Sequence, residues 1–269
     1  MKRIADYKTL QPLGSGAHGE VWVARPPARL GLPVDQVAVK ILNLPVSQPE
    51  FAATLAELRI YARIESPYLI TVYDVGCWND RLYLSMEYFP LGSLAGPADD
   101  LGPSQRCRAI SAAARGAHEL HEAGIVHRGI KPSNILLMED GAKLGEPSVV
   151  HLLAPGKTFT GTGSTGEVEF VEPGMVRGER PGRGTDVWSL GICLHHTLSG
   201  ASVYRDLPDG SLLTLLRHIV ASPPQLDPGL HPNHDEIVRR CVALDRADRY
   251  PTALALAEAI EQTELLEHA

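Results

Sequence analysis

Three glycines spaced as Gly14-x-Gly16-x-x-Gly19 precede the run VAVK, which ends on Lys40. Without Cβ atoms, such a loop lets backbone N–H groups approach phosphate oxygens, and a lysine adds a point positive charge. Alone the glycine spacing is a weak signal. It also suits a plain hairpin turn or a dinucleotide fingerprint, but a fingerprint opens a helix, whereas EVWVA (20–24) reads on as a strand. With a side-chain period of two, Lys40 points inward if Ala38 does. A buried lysine needs an anion, and Glu57 is available further on; the competing reading is an ordinary surface pair. Downstream, VHRGIKPSN (126–134) gathers His127, Arg128, Lys131 and Asn134, side chains able to orient a phosphoryl group. Gly129 stands where that chemistry would want a carboxylate.

The elements that must position these residues divide into two styles. VAVKIL (37–42) is rich in β-branched residues like EVWVA, and RLYLSMEY (81–88) alternates apolar with polar; all three read as strands. The intervening PPARLGLPVDQ, punctuated by Pro and Gly, reads as a surface loop. One helix interrupts the strands. Ser47 and Glu50 have capping-box spacing, Pro49 suits a first turn, and Phe51, Leu55, Leu58 and Ala62 form one stripe. After FPLGSLAGP the chain turns helical, over 104–124, 185–200 and the C-terminal TALALAEAIEQTELLEHA. The first two end on glycine, and the second is apolar almost all round, which predicts a central position. The expectation is an α+β chain with a small β-rich lobe at 1–89, holding one helix, and a larger, mainly helical lobe at 90–269.

With these motifs in this order, the chain resembles the protein-kinase family, most closely bacterial Ser/Thr kinases. The resemblance implies a bilobal protein-kinase-like fold and runs from about residue 7 to the end. It assigns the phosphates to Gly14, Gly16, Gly19 and Lys40, and the orientation of Lys40 to Glu57. LYLSMEYFPLGSL looks like the hinge, with Met86 as gatekeeper, then Glu87 and Tyr88, and Gly92-Ser93-Leu94 leaving it. Val21, Ala38 and Leu136 match positions that sandwich an adenine ring. HEAGIVHRGIKPSNILL looks like the catalytic loop, TDVWSLGICL like the central helix whose Asp186 anchors that loop, and DRADRYPTALAL like the closing helix with Arg249.

The departures from the family pattern concern its chemistry. The base aspartate is replaced by Gly129, and the metal-binding D-F-G tripeptide by Glu146-Pro147-Ser148. Glu146 keeps a carboxylate one methylene longer; Pro147 cannot supply the aromatic ring, which breaks the stack Val72, Tyr61, Pro147, His127. The A-P-E tripeptide becomes Glu172-Pro173-Gly174, so Arg249 is expected to lose its usual partner, with Glu172 as a substitute. Losing the base alone removes about 10²- to 10⁴-fold; magnesium positioning is a larger part of phosphoryl transfer. The resemblance therefore implies a pseudokinase that binds ATP or ADP through the residues above, holds Mg²⁺ weakly through Asn134 and Glu146 or not at all, and regulates or scaffolds a protein partner: an active kinase, its substrate or a regulated enzyme. The alternatives are a slow or atypical kinase-like transferase and an interaction domain with an occluded pocket.

The remaining signals are weaker. His118 and His121, three apart on a helix, read as packing, and His195-His196 face opposite sides of theirs. TFTGTGST (158–165) offers hydroxyls for phosphorylation, with Arg128 retained to contact a phosphorylated segment. A net charge of −7 argues against a general nucleic-acid binder. Cys77, Cys107, Cys193 and Cys241 form no C-x-x-C pair, so neither a structural zinc site nor a disulfide framework is expected. No apolar run approaches the roughly 20 residues that span a bilayer, and MKRIADYKTL lacks a signal-peptide core. A cytoplasmic protein without membrane insertion is the expectation.

Overall fold

The computed structural model describes residues 3–16, 19–45, 47–96, 101–145, 165–204, 207 and 210–267. Contacts divide it into two units, one built of the chain up to Arg63 with Ile70–Pro90, the other of Ile64–Leu69, the chain from Leu91, and that from Thr165 on.

The first unit is a six-stranded antiparallel sheet of order β1-β2-β3-β4-β6-β5 with one helix. Its strands are β1 (Arg3–Ile4), β2 (Tyr7–Gly16), β3 (Gly19–Arg25), β4 (Val37–Pro45), β5 (Val72–Trp78) and β6 (Arg81–Met86). Strand alternation sorts the side chains. Ile4, Tyr7, Ala24, Val37, Val39, Ile41 and Tyr83 form one apolar cluster, while Val23, Ala38, Leu42, Leu84 and Met86 are buried at the alternate positions. The segment 26–36 is a surface loop, as expected, but an anchored one. A 3₁₀ turn at Ala28–Leu30 sets Leu30 and Leu32 against that cluster. Its Arg29 donates Nε to Asp6 at 2.6 Å and Nη2 to Asp74, an acceptor shared with the Tyr7 hydroxyl at 2.8 Å.

The helix α1 (Gln48–Tyr61) opens on the capping box: Glu50 N–H donates to Ser47 Oγ, and Ser47 N–H to Glu50 Oε2 at 2.8 Å. Its apolar stripe is rotated from the one expected. Thr54, Leu58 and Tyr61 are the buried residues, Phe51 and Leu55 are half-buried, and Ala62 is exposed. Thr54 tolerates burial because its hydroxyl donates to the Glu50 carbonyl at 2.9 Å, and the Tyr61 hydroxyl donates to the Ile70 carbonyl at 2.7 Å.

The second unit holds the hairpin of β7 (Ile135–Met138) and β8 (Gly141–Leu144). Its helices are α2 (Pro103–Glu122), α3 (Pro173–Val176), α4 (Arg183–Ser199), α5 (Leu212–Ala221), α6 (Pro232–Cys241) and α7 (Ala253–Glu267). The α4 helix is the centre that the sequence predicts: every residue from Thr185 to His195 is buried, and Gly200 closes it in the left-handed conformation at φ 68°. It packs against α2 and α6. Where α4 meets α6 the backbones approach closely, and a Cβ on Gly191 would collide with the Cβ of Cys241.

Gly191→Ala tests that approach. Alanine gains about 1 kcal/mol of helix propensity, whereas overpacking a filled core costs about 1–3 kcal/mol. The collision is with a backbone-attached atom, so overpacking prevails, and chemical denaturation should show net destabilisation.

Candidate functional site

In the first unit the glycine hairpin is a strand pair. Gly14 lies opposite Val21 and Gly16 opposite Gly19, and β3 continues to Arg25, as the strand reading requires. Gly19, at φ 147°, has no room for a Cβ, which would run into the Ile41 carbonyl on β4; Gly14 faces open space. The register sets Val21 directly opposite Lys40 and Val23 opposite Ala38, so Val21, Ala38 and Lys40 share one face. Ala38 is buried, Val21 and Lys40 are half-buried, and Glu57 is half-buried on α1. After β6, Glu87 donates its N–H to the Thr71 carbonyl at 2.9 Å and accepts the Thr71 N–H on Oε2 at 3.3 Å; half-buried Tyr88 follows.

In the second unit the VHRGIKPSN loop is built on one buried carboxylate. Asp186, fully buried in α4, accepts the His127 N–H on Oδ2 at 2.8 Å and the Arg128 N–H on Oδ1 at 2.9 Å. His121 Nε2 adds a third bond at 2.8 Å, so this histidine supports the loop besides packing. Arg128 takes φ 61°, a conformation that costs a non-glycine residue about 1–2 kcal/mol; the two charge-assisted bonds beside it offset that cost. Gly129 is held through its own backbone. Its N–H donates to His127 Nδ1 at 3.2 Å, and its carbonyl accepts Asn134 Nδ2 at 2.8 Å. His127 Nε2 donates in turn to the Gly145 carbonyl at 3.2 Å, which selects the Nε2–H tautomer. The Asn134 carbonyl accepts the Gly145 N–H at 2.7 Å. Lys131 is half-buried, and so is Leu136 on β7, opposite Ser93 of the Gly92-Ser93-Leu94 segment. Glu146, Pro147 and Ser148, and all but Thr165 of the 158–165 tract, lie outside the described residues.

Arg249 pairs with the substitute acid that the sequence offers. The substitute, Glu172, takes it fully. Buried at the N-terminus of α3, Glu172 accepts Arg249 Nη1 on Oε1 at 2.6 Å. Arg246 donates Nε to Oε1 at 2.7 Å and Nη2 to Oε2 at 2.6 Å, and Thr185 donates its hydroxyl to Oε2 at 2.8 Å. Gly174 makes room for a second acid: a Cβ there would lie 2.6 Å from the Glu179 carboxylate, which is 3.7 Å from Arg246. The Arg249 guanidinium also lies 5.0 Å from the centre of the Trp188 ring. Sequence reading missed Arg246, Glu179, Thr185 and the role of His121. Their only sequence signal is residue type, since each bond spans many residues.

Comparison with known proteins comes down on the same side as this geometry. The protein kinase domain model matches residues 7–262, and the chain belongs to that family. Serine/threonine-protein kinase PknA of Mycobacterium tuberculosis is 29% identical over 265 residues, covering 94% of this chain and 60% of that protein. PknL of Mycobacterium bovis is 30% identical over 236 residues, covering 84% of this chain and 58% of that protein. The chain thus spans about 60% of the length of these curated relatives. The crystal structure of the M. tuberculosis PknI kinase domain superposes with a TM-score of 0.74 at 21% identity, covering 98% of this chain and 97% of that one. The fold is the α+β, bilobal protein-kinase fold.

Two substitutions probe the site. Asp186→Asn turns an amide N–H toward a backbone donor; at about 1.5–3 kcal/mol per charged hydrogen bond, it should destabilise by at least about 2 kcal/mol. Hydrogen exchange at the His127 and Arg128 amides should accelerate. For Glu172, burial pushes the carboxyl up, but hydrogen bonds from Arg246, Arg249 and Thr185 together hold it below its usual 4.5. A depressed carboxyl contributes stability that is present above its unfolded value and lost as pH falls through the folded one. Glu172→Gln should therefore cost about 3–5 kcal/mol at neutral pH, by leaving Arg249 uncompensated. The gap from wild type should narrow as pH drops below 4.5, read by denaturant melts across that range.

Proposed function

We propose that this chain is a pseudokinase: a kinase-family module that binds ATP or ADP, transfers no phosphate at a useful rate, and regulates or scaffolds a protein partner. The observation that carries this reading is Gly129. It occupies the base position of a loop whose backbone is fully formed, with both its N–H and its carbonyl bonded. The loop keeps its shape and presents no carboxylate where a substrate hydroxyl would give up its proton.

The residues present fit a nucleotide better than they fit a hard cation. The glycine hairpin offers Cβ-free backbone and Lys40 a positive charge on the same face as Val21 and Ala38; these would hold the phosphates and one side of the base. Glu57 would orient Lys40, and Glu87 and Tyr88 would meet the base edge; Leu136 would be one of the adenine-binding residues, as the family resemblance assigns. Bound ATP supplies a transferable phosphoryl group in this family. Mg²⁺ wants several oxygen donors in octahedral array, and among the described residues Asn134 offers one neutral oxygen, Oδ1. Glu146 would have to supply the rest of the protein's share. The proposal therefore includes nucleotide binding with little dependence on metal.

The slower-kinase reading draws on one observation: Asn134 commits Nδ2, not its oxygen, to the Gly129 carbonyl, so the atom a cation would take is kept clear of that bond. The two readings differ in outcome. In thermal-shift titrations ATP should raise the unfolding midpoint with and without Mg²⁺, and a parallel labelled-ATP assay should show no transfer. Kinases turn over at about 1–100 s⁻¹ and loss of the base costs about 10²- to 10⁴-fold. Transfer at or above roughly 10⁻⁴ s⁻¹, abolished by Lys40→Ala, would replace the pseudokinase reading by the enzymatic one. A midpoint unmoved by ATP would leave only an interaction domain. Location in the cytoplasm belongs to the proposal too; among the described residues no helix is long and apolar enough to cross a membrane.

A further inference from the structure

Three helices of the second unit bring together a thiol, an imidazole and a carboxylate. Cys107 of α2, His234 of α6 and Glu264 of α7 each offer one ligand atom, and these atoms lie within 4.8 Å of one another. Cys107 is completely buried and His234 is 4% exposed. The sequence gives no hint of the grouping, since Cys107 and His234 are 127 residues apart.

We propose that Cys107, His234 and Glu264 form a zinc site. The spacing of the donors is the first ground. Four-coordinate zinc, with bonds of about 2.0–2.3 Å, sets its tetrahedral donors roughly 3.3–3.8 Å apart. Cys107 Sγ lies 3.5 Å from His234 Nε2, and His234 Nε2 lies 3.6 Å from Glu264 Oε1. The second of these is too long for a hydrogen bond but is a normal ligand–ligand edge. The second ground is the carboxylate itself. The Glu264 side chain is only 12% exposed, and its Oε2 is buried with no hydrogen-bond partner among the described residues. With Oε1 already within ion-pair distance of His234, Oε2 is the oxygen left uncompensated, and a cation beside the carboxylate relieves that cost.

The donor set selects the metal class. One sulfur and one imidazole nitrogen with a single carboxylate suit zinc and disfavour Mg²⁺ or Ca²⁺, which require oxygen cages. Binding breaks the Cys107 S–H bond: the proton passes to solvent, the thiolate pair forms the S–Zn bond, and no electron changes hands. Three protein donors leave one position for water or for the imidazole of His231, whose ring packs edge-on against His234 at 5.9 Å. Such an ion would tie α2, α6 and α7 at one point.

The test uses the full chain in a Cys77→Ser background, because Cys77 is an exposed thiol. Chelator-stripped protein is loaded with Zn²⁺, desalted and assayed for metal; a second sample is loaded with Co²⁺ as a spectroscopic probe. One equivalent of zinc should be retained, and cobalt should give a thiolate charge-transfer band with tetrahedral intensity in the visible. Cys107→Ser should abolish both, and Glu264→Gln should weaken zinc binding by more than about 10-fold, the least expected when even a supporting residue is lost. Zinc retention no higher than in Cys107→Ser, or a cobalt spectrum without the thiolate band, would overturn the site. If Cys107→Ser fails to fold, Glu264→Gln decides alone: unchanged affinity rejects the proposal.

Discussion

The carboxylate of Asp186 is the constraint on which the rest of the second unit depends. A fully buried charge is tolerated only when hydrogen bonds replace its lost hydration. Asp186 meets that condition with two backbone N–H groups and one imidazole. Because two of the three donors are backbone, the carboxylate fixes the path of the chain at residues 127 and 128 whatever follows. It is itself held by α4, buried at every position from Thr185 to His195. Through the chain His127–Gly145–Asn134 the same constraint reaches the end of β8, so the loop and the exit from the hairpin are one hydrogen-bonded object.

That independence explains how the loop keeps its path with a glycine at position 129. Gly129 contributes only backbone bonds, and these do not need a side chain. The Glu172 cluster makes the same point with a different economy. Arg249 finds a buried carboxylate in Glu172, and Arg246 and Thr185 join it. What the cluster achieves is neutralisation of a buried guanidinium.

Much of this was legible in the sequence, for reasons that differ by element. EVWVA and VAVKIL are rich in β-branched residues and RLYLSMEY alternates apolar with polar; strands run through all three, the last ending at Met86. β2 is harder to see, because Pro12, Gly14 and Gly16 interrupt its pattern and its pairing with β3 slips register twice. Hydrophobicity alone picks Ala62 over Thr54 for the inward face of α1, whereas a threonine that bonds its own helix backbone can be buried. α6 reads as polar (PNHDEIVRRC) and gives little warning of Ile237, Val238 and Cys241 facing the core. At the site, the residue types in the loop were readable. The support from His121 and the gathering of Arg246 and Glu179 near Glu172 were not, since they come from long-range packing.

The segment Ile64–Leu69 has a topological consequence. It lies in the chain between elements of the first unit but is built into the second. There Leu69 bridges to Leu144, the Leu144 N–H donates to the Tyr68 carbonyl at 2.8 Å, and Gly116 on α2 admits that carbonyl where a Cβ would stand 2.7 Å from it. The two units are therefore interleaved along the polypeptide, and no single cut separates them genetically. A fragment ending near residue 90 would carry away part of its neighbour's fold, leaving the β8 edge and the α2 surface stripped of the chain that covers them. Recombination between kinase genes at that junction would meet the same obstacle, so in inheritance the two units are a single exchangeable block.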